Sequence, residues 1–192
     1  VDPGTYRVVL SLGGELTDSM MVVVNDDPNA PTPKELRDVL RKANNRIEQS
    51  TLKITAITER ITEVEDIMKK VEAGYSAMEK KDADTLRKVA KLVADGIKDI
   101  RETLNGKPQT KQGYGNIPQE TVNGLLGEAR SLVMGKTAMP GAQENRAMNE
   151  AEEAVAAVVK KANALFDGVW KQYRTLAEAA PVKYFKDYKA IE

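Results

Sequence analysis

The stretch PKELRDVLRKANNRIEQSTLKITAITERITEVEDIMKKVEAGYSAMEKK, from Pro33 to Lys81, decides the fold of this chain. An apolar residue recurs at every third or fourth position, and Ser50 is the only polar member of the series. This spacing is typical of an α-helix that packs along its whole length against other helices. At 1.5 Å per residue, the predicted helix is roughly 70 Å long. The stripe consists of Leu36, Leu40, Ala43, Ile47, Ser50, Ile54, Ile57, Ile61, Val64, Met68, Val71, Tyr75 and Met78.

Three further helical stretches follow and supply partners for the first helix. They cover about 82–105, 118–134 and 142–179, and each carries apolar residues at the same 3–4 spacing. A very short turn after Lys80-Lys81 predicts that the second helix folds back on the first. We expect the third helix to climb again and the fourth to descend along the full length of the first. The predicted fold is therefore mainly α, an up-down antiparallel helical bundle with one very long helix.

A β-hairpin precedes the helices, with predicted strands near 5–12 and 16–24. Alternating apolar residues lead to Gly13-Gly14, a pair suited to the positive φ angles of a tight hairpin turn. The second strand is apolar on both faces, so it belongs against another layer. Either further strands complete a sheet, or the hairpin lies on the helices. The predicted domains are a hairpin at 1–28, a linker at 29–33 and a helical bundle at 34–192.

Composition excludes several classes of function. The chain has neither cysteine nor histidine, so thiol and histidine-based nucleophiles and zinc sites of His and Cys are impossible. The 29 basic and 29 acidic residues cancel, which argues against a nucleic-acid surface. The longest uncharged apolar run, 20–24, is too short to cross a bilayer. Carboxylate pairs such as Glu59 with Glu63 lie on one predicted helix face and suit a solvated surface. We therefore expect no catalysis, no cofactor, no metal and no membrane insertion.

Two groups of motifs resemble one protein family. The first is PGTYRVVL at 3–10, with the Gly13-Gly14 turn and VVVNDDP at 22–28, and it looks like the last two strands of a small Ig-like sandwich. The second is LNG at 104–106 and KQGYG at 111–115, followed by Trp170 and Tyr173. Together they are similar to the C-terminal region of secreted bacterial BNR/Asp-box β-propeller proteins, described as sortilin-like or glycosyl-hydrolase-like.

The resemblance implies an extracytoplasmic location, periplasmic or secreted, and a longer parent protein. The propeller and its Asp-box (Ser-x-Asp-x-Gly-x-x-Trp) do not occur in this sequence, so no catalytic residue carries over from the family. The residues that we expect to form an interaction surface are aromatic. We expect Trp170, Tyr173 and the tail aromatics to pack near the linker and hairpin, whereas Tyr114 either packs in a rigid loop or lines a ligand site. The set is Tyr114, Trp170, Tyr173, Tyr184, Phe185 and Tyr188.

The predicted function is a non-catalytic accessory or interaction domain at the C-terminus of a larger exported multidomain protein. Its partner is then the rest of the parent chain or another protein. Two alternatives remain open. The chain is a self-associating coiled-coil scaffold, with weak self-association through the first helix, or it is part of a carbohydrate-active β-propeller protein and binds glycans beside Gly113-Tyr114-Gly115.

Overall fold

The structure is a computed structural model that describes residues 2–29, 32–108 and 119–181. The chain is mainly helical, with a two-stranded antiparallel hairpin at its N-terminal end. A π-helical turn, Phe166–Trp170, joins the last two helices without a break in helical backbone angles. The elements are β1 (Gly4–Leu12), β2 (Glu15–Val24), α1 (Lys34–Ala73), α2 (Lys80–Asn105), α3 (Val122–Val133), α4 (Ala142–Leu165) and α5 (Lys171–Ala179).

The hairpin forms where the alternation and the glycine pair predict it. Leu12 pairs with Glu15 across the turn, and Gly13 and Gly14 have φ angles of 63° and 89°. A two-residue turn with positive φ at both positions matches the right-handed twist of the flanking strands. The register shifts once, after Leu10, which introduces a bulge into the ladder. The predicted hairpin is therefore confirmed, and its strands extend a residue beyond the predicted bounds.

The helix α1 begins at Lys34 and buries the predicted stripe from Leu36 to Val64, except for Leu40, which is half-buried. It ends at Ala73, so the predicted end at Lys80-Lys81 is wrong, because those lysines open α2 instead. A short 3₁₀ turn, Tyr75–Ala77, connects the two helices. Glycine is a poor helix former, and Gly74 follows the last α-helical residue. Tyr75 lies in the 3₁₀ turn and is buried there. Because a spacing of three or four residues fits both an α-helix and a 3₁₀ turn, the sequence pattern does not show where α1 ends.

Both α2 and α3 run antiparallel to α1. Arg101 of α2 donates to Glu65 of α1 at 2.7 Å, and Arg130 of α3 donates to the Thr51 hydroxyl of α1 at 3.2 Å. Later residues of α2 and α3 thus contact earlier residues of α1. The amide of Asn123 donates to Asn105 at 2.8 Å, which places the start of α3 at the end of α2. The prediction that the third helix climbs back beside the second is therefore wrong, because α3 continues in the direction of α2.

The helix α4 runs parallel to α1, which also corrects the predicted chain path. Arg46 of α1 donates to Glu152 of α4 at 2.8 Å, and the guanidinium of Arg60 lies 5.3 Å from the ring centre of Phe166. From the first contact to the second, residue numbers increase along both α1 and α4. The predicted descent of the fourth helix along the first is therefore wrong. The predicted helix over 142–179 is confirmed as α4, the π-helical turn and α5.

One hydrophobic core joins all of these helices. Val93 and Ile100 of α2, Ala129 of α3 and Val158 of α4 have no exposed surface. The helix α4 contacts α1, α2 and α3, so it lies at the centre of a bundle-like helical body. No hairpin residue belongs to this core within the described chain. The helices therefore bury their own apolar stripes from Ala43 onward, whereas Leu36 is buried outside this core.

Candidate functional site

Two of the predicted interaction residues, Trp170 and Tyr173, belong to a packed aromatic cluster with Tyr75. The rings of Trp170 and Tyr173 are stacked, with centroids 5.6 Å apart and planes inclined by 24°. The hydroxyl groups of Tyr173 and Tyr75 lie 3.3 Å apart and share a hydrogen bond. The guanidinium of Arg87 lies 5.2 Å from the centre of the Tyr75 ring. The aromatic cluster thus connects the π turn and α5 to the turn between α1 and α2.

The π-helical turn supplies part of this packing. Leu165 and Phe166 are consecutive in sequence, yet both are buried. A regular α-helix turns by 100° per residue, whereas a π-helical turn is wider and holds an additional residue. Leu165 and Tyr173 are eight positions apart, and a regular α-helix would turn them about 80° away from each other. The additional residue of the π turn lets both enter the core.

The environment of Tyr173 favours a neutral hydroxyl group. Its side chain is 1% exposed, and this burial raises the pKa of the phenol above its usual range. The hydrogen bond with Tyr75 raises that pKa further. A phenol that keeps its proton is a poor nucleophile and a poor base, so the chemistry of this hydroxyl is that of a structural hydrogen bond.

The aromatic cluster lies far from its predicted place beside the linker and hairpin. A cavity of about 270 Å³ is lined by Trp170 and Tyr173 together with Ile67 and Val71 of α1. From Lys34, where α1 begins, to Val71 the helix rises by roughly 55 Å. The predicted location is therefore wrong, because α4 and α5 run parallel to α1 and carry these residues to its C-terminal end.

The remaining predicted interaction residues, Tyr114, Tyr184, Phe185 and Tyr188, lie outside the described residues. The small cavity beside Trp170 is mainly apolar, and Arg174 and Glu178 at its rim are joined by a 2.7 Å ion pair. This cavity can receive an apolar side chain, but its lining offers no nucleophile with an adjacent base.

A second candidate surface is one face of the hairpin. Residues that pair across an antiparallel ladder point to the same side of the sheet. Tyr6 pairs with Val22 and Val8 pairs with Met20, so their side chains form an apolar strip. The strip continues along β1 to Leu10, whose partner on β2 is Asp18. The side chains of Val8, Leu10 and Met20 are 52%, 62% and 63% exposed. We call this strip the hairpin face, and its members are Tyr6, Val8, Leu10, Leu12, Met20, Val22 and Val24.

The opposite side of the hairpin is mixed, because it combines polar residues with the exposed Val9, Met21 and Val23. Arg7 donates to the Ser19 hydroxyl at 3.0 Å on that side, where Thr5 and Ser11 also lie. The alternation along the first strand is visible in the sequence, but the predicted interaction surface consists of aromatic residues elsewhere in the chain. The signal that would have found the hairpin face is the apolar strip that both strands share once their register is known.

Ion pairs hold the base of the hairpin to the start of α1. Asp26 pairs with Arg37, and Asp2 pairs with Arg41. Arg37 also donates to the backbone carbonyl of Thr32 at 2.7 Å. These contacts hold the start and end of the hairpin against the first turns of α1. None of them involves a residue of the hairpin face.

Acidic side chains are spread along the described residues 2–29, 32–108 and 119–181. That part of the chain contains no group of three acidic side chains placed to hold a metal ion. Within the same ranges, no helix has both the length and the apolar composition needed to cross a bilayer. Comparison with known proteins found no matching family model, no matching curated protein and no matching solved structure.

Proposed function

We propose that this chain is a non-catalytic accessory or interaction domain of a larger exported multidomain protein. In this proposal the helices form a stiff scaffold, and the hairpin face docks against a β-sheet layer of the parent protein. The observation that carries the proposal is the uncovered hairpin face beside a helical core that is complete without it. The exported setting rests on the resemblance of the hairpin and loop motifs to the propeller proteins.

The scaffold of this proposal is an up-down antiparallel bundle built on one very long helix, α1. Its second leg is shared by α2 and α3, and its third leg is α4 continued by α5. The bidentate contact of Arg46 with Glu152 and the contact of Arg101 with Glu65 tie two of these legs to α1. At 1.5 Å per residue, the 40 residues of α1 measure about 60 Å, a length suited to a spacer.

The hairpin face suits a protein partner because exposed apolar side chains lie next to one another along it, with Asp18 and Glu15 at its turn end. Exposed apolar side chains scattered singly are normal, but a contiguous patch marks an interaction site. Both outer edges of the hairpin also carry backbone groups without a neighbouring strand in the described chain. A sheet layer would cover the apolar side chains, and a strand added at an edge would satisfy those backbone groups.

A second copy of the hairpin is a poorer partner than a larger sheet. Strands of nine and ten residues span about 30 Å, and two strands are about 10 Å wide. Face-to-face contact of two copies would therefore bury only about 600 Å² in total, whereas stable interfaces bury about 1,200 Å² or more. This estimate favours a partner that covers both the face and an edge.

Hydrogen exchange in the longest polypeptide encoded by the gene tests this proposal. We expect amide exchange in β1 to slow at least tenfold relative to the chain alone, because a neighbouring layer excludes water and pairs the edge. The variant Val8→Lys with Leu10→Lys should abolish the added protection. The matched control Thr5→Lys with Ser11→Lys changes the opposite side and should retain it. Equal exchange in the short and long polypeptides would refute the docking role.

A self-associating coiled coil is the alternative scaffold function. The burial of the α1 stripe inside the chain argues against it, because Ile47, Ile54 and Ile61 are already covered by other helices. Light scattering distinguishes the two functions, since a coiled-coil dimer would double the mass at high concentration. The glycan-binding alternative predicts that a carbohydrate array retains the chain and that Tyr114→Ala releases it.

A further inference from the structure

A groove runs between α1 and α2, on a different part of the molecule from the hairpin face. Its main cavity has a volume of about 650 Å³ and is lined by Met68 and Glu72 of α1 and by Ala94 and Ile97 of α2. A second cavity of about 280 Å³ shares Met68, Glu72 and Ala94 with the first. The two cavities are therefore parts of one groove, which ends near Pro108.

The α2 wall of the groove has the length of a short helix, whereas the other wall, from Glu65 to Tyr75, is only about 15 Å long. Along α2 its lining extends from Arg87 to Asn105, a distance of about 27 Å at 1.5 Å per residue. An α-helix of about 18 residues has the same length. The walls are two antiparallel helices, so a third helix lying between them could place its side chains between theirs.

The floor of the groove is apolar. Met68, Ala90, Ala94 and Ile97 line it, and Ala94 is exposed to solvent. The helices α4 and α5 contact α2, and Ile97 is buried in the shared core. Met68 and Ala90 are half-buried, so Ala94 is the most exposed residue of the floor. An apolar ridge on a partner helix would remove this floor from water.

The two walls differ in charge, and this difference indicates which charges a partner helix would carry on each flank. The α2 wall carries Arg87, Lys91, Lys98 and Arg101, whose spacing of four, seven and three residues places them along one side of the helix. Several of these cations have acidic neighbours, but Lys98 lies 3.9 Å from Glu102, a distance too long for a strong hydrogen bond. The α2 wall carries these four cations and the carboxylate of Glu102, so it offers a mainly basic rim to an incoming helix.

The α1 wall is more acidic. It carries Glu65, Lys69 and Glu72, and Glu65 already reaches across the groove to Arg101. Both side chains of this cross-groove pair remain partly exposed, so a competing carboxylate could take the place of Glu65 at little cost. A partner with acidic residues on the flank next to α2 would satisfy more charges than one with basic residues there.

From the apolar floor, the length and the basic rim, we propose that this groove binds an amphipathic α-helix of a partner protein. The bound helix presents a continuous apolar stripe to Met68, Ala94 and Ile97, and acidic side chains to the α2 wall. This site is independent of the hairpin face, so either surface can fail its test while the other passes.

Synthetic helical peptides of 18 residues test the proposal. The first peptide has leucine at 3–4 spacing with glutamate on one flank, and the second has the same leucines with lysine in place of each glutamate. Fluorescence anisotropy measures the affinity of each labelled peptide for the whole chain. We expect the glutamate peptide to bind at least about tenfold more tightly at low salt, and the preference to decrease as salt screens the rim.

Two pairs of variants locate the binding site. Ala94→Glu places a charge on the groove floor and should weaken binding of the glutamate peptide by about tenfold or more. Its matched control is Ala56→Glu, which changes an exposed alanine of α1 outside both cavities. The double variant Lys91→Glu with Lys98→Glu should reverse the preference in favour of the lysine peptide, whereas Lys88→Glu should leave it unchanged.

Each outcome decides the matter. Tight binding that is lost in Ala94→Glu and kept in Ala56→Glu, with reversal in the double lysine variant, establishes the groove and its charge preference. The proposal would be overturned by equal binding of both peptides or by equal losses in the two alanine variants. It would also be overturned by no measurable binding at 100 µM of chain, a limit that corresponds to a binding free energy of ~5 kcal/mol. Circular dichroism of every variant confirms that a lost signal does not reflect unfolding.

Discussion

Removing the Tyr173 side chain should destabilise the helical body more than any other aromatic truncation among the described residues. Tyr173 is the largest side chain with less than 2% exposure, and it contacts both Trp170 and Tyr75. Replacing a buried aromatic residue by alanine typically costs 3–5 kcal/mol, so we expect Tyr173→Ala to lower the free energy of unfolding by about 4 kcal/mol. At this chain length that loss corresponds to roughly 10 °C in melting temperature.

The conservative variants separate packing from hydrogen bonding. Tyr173→Phe keeps the ring but leaves the Tyr75 hydroxyl without its partner, at a cost of about 1 kcal/mol. Trp170→Ala removes a half-buried ring and its stacking contact, so its cost should fall between these values, near 2 kcal/mol. Tyr6→Ala is the control, since this exposed tyrosine belongs to the hairpin and should change helical stability by less than about 0.5 kcal/mol.

Urea denaturation followed by circular dichroism at 222 nm measures each cost, because the signal reports helix content. The order Tyr173→Ala, Trp170→Ala, Tyr173→Phe, Tyr6→Ala is the expected ranking of destabilisation. A cost for Trp170→Ala above that for Tyr173→Ala would mean that the aromatic cluster packs in another way. An unchanged midpoint in Tyr173→Ala would refute the placement of this residue in the core.

Two further predictions concern contacts between helices. A Cβ atom on Gly96 would lie 2.6 Å from Leu165 Cδ1. Gly96→Ala should therefore lower the free energy of unfolding by about 1 kcal/mol in urea denaturation, because overpacking outweighs the gain in helix propensity. In a Leu165→Ala background the same change should become neutral or stabilising, and an equal cost in both backgrounds would contradict the close approach. The hydrogen bond from Arg46 lowers the pKa of Glu152, so this carboxylate stabilises the fold above the ordinary glutamate pKa near 4.3, and the stabilisation is lost as pH falls through the lower folded-state value. Glu152→Gln should therefore reduce the decrease in stability between about pH 5 and pH 3, whereas an unchanged pH profile would show that the pair contributes nothing.

Local patterns predicted the elements whose cause is local. Gly13 and Gly14 determine the hairpin turn by their own backbone freedom, and the stripe over 142–179 predicts a helix that the structure contains as α4, the π turn and α5. The end of α1 was missed because Tyr75 continues the apolar spacing from a 3₁₀ turn. The groove between α1 and α2 was missed for a different reason, since Met68 was assigned to the buried stripe and Ala94 is a small residue with no strong pattern of its own.

Helix directions could not be predicted, because an apolar stripe shows which face of a helix is buried but not which way its neighbour runs. The segment 106–121 is long enough to let α3 turn back or continue, and only the contacts of Asn123 with Asn105 and of Arg130 with Thr51 distinguish these paths. The direction of α4 follows from that of α3, since a short connection reverses the chain. The error in direction moved Trp170 and Tyr173 to the wrong end of α1.

The amino-acid sequence by itself determined the mainly helical class, the N-terminal hairpin, the residues that α1 buries, and the exclusion of chemistry that needs cysteine or histidine. These properties depend on residue type and on spacing along the chain. Tertiary structure alone decided the directions of α3 and α4, the burial of Tyr173 against Tyr75, the uncovered hairpin face and the basic rim of the groove. The helix directions and the contact of Tyr173 with Tyr75 arise from residues far apart in sequence, whose approach depends on how whole helices share one core. The hairpin face and the basic rim are local in sequence, and the tertiary structure decides that they stay uncovered.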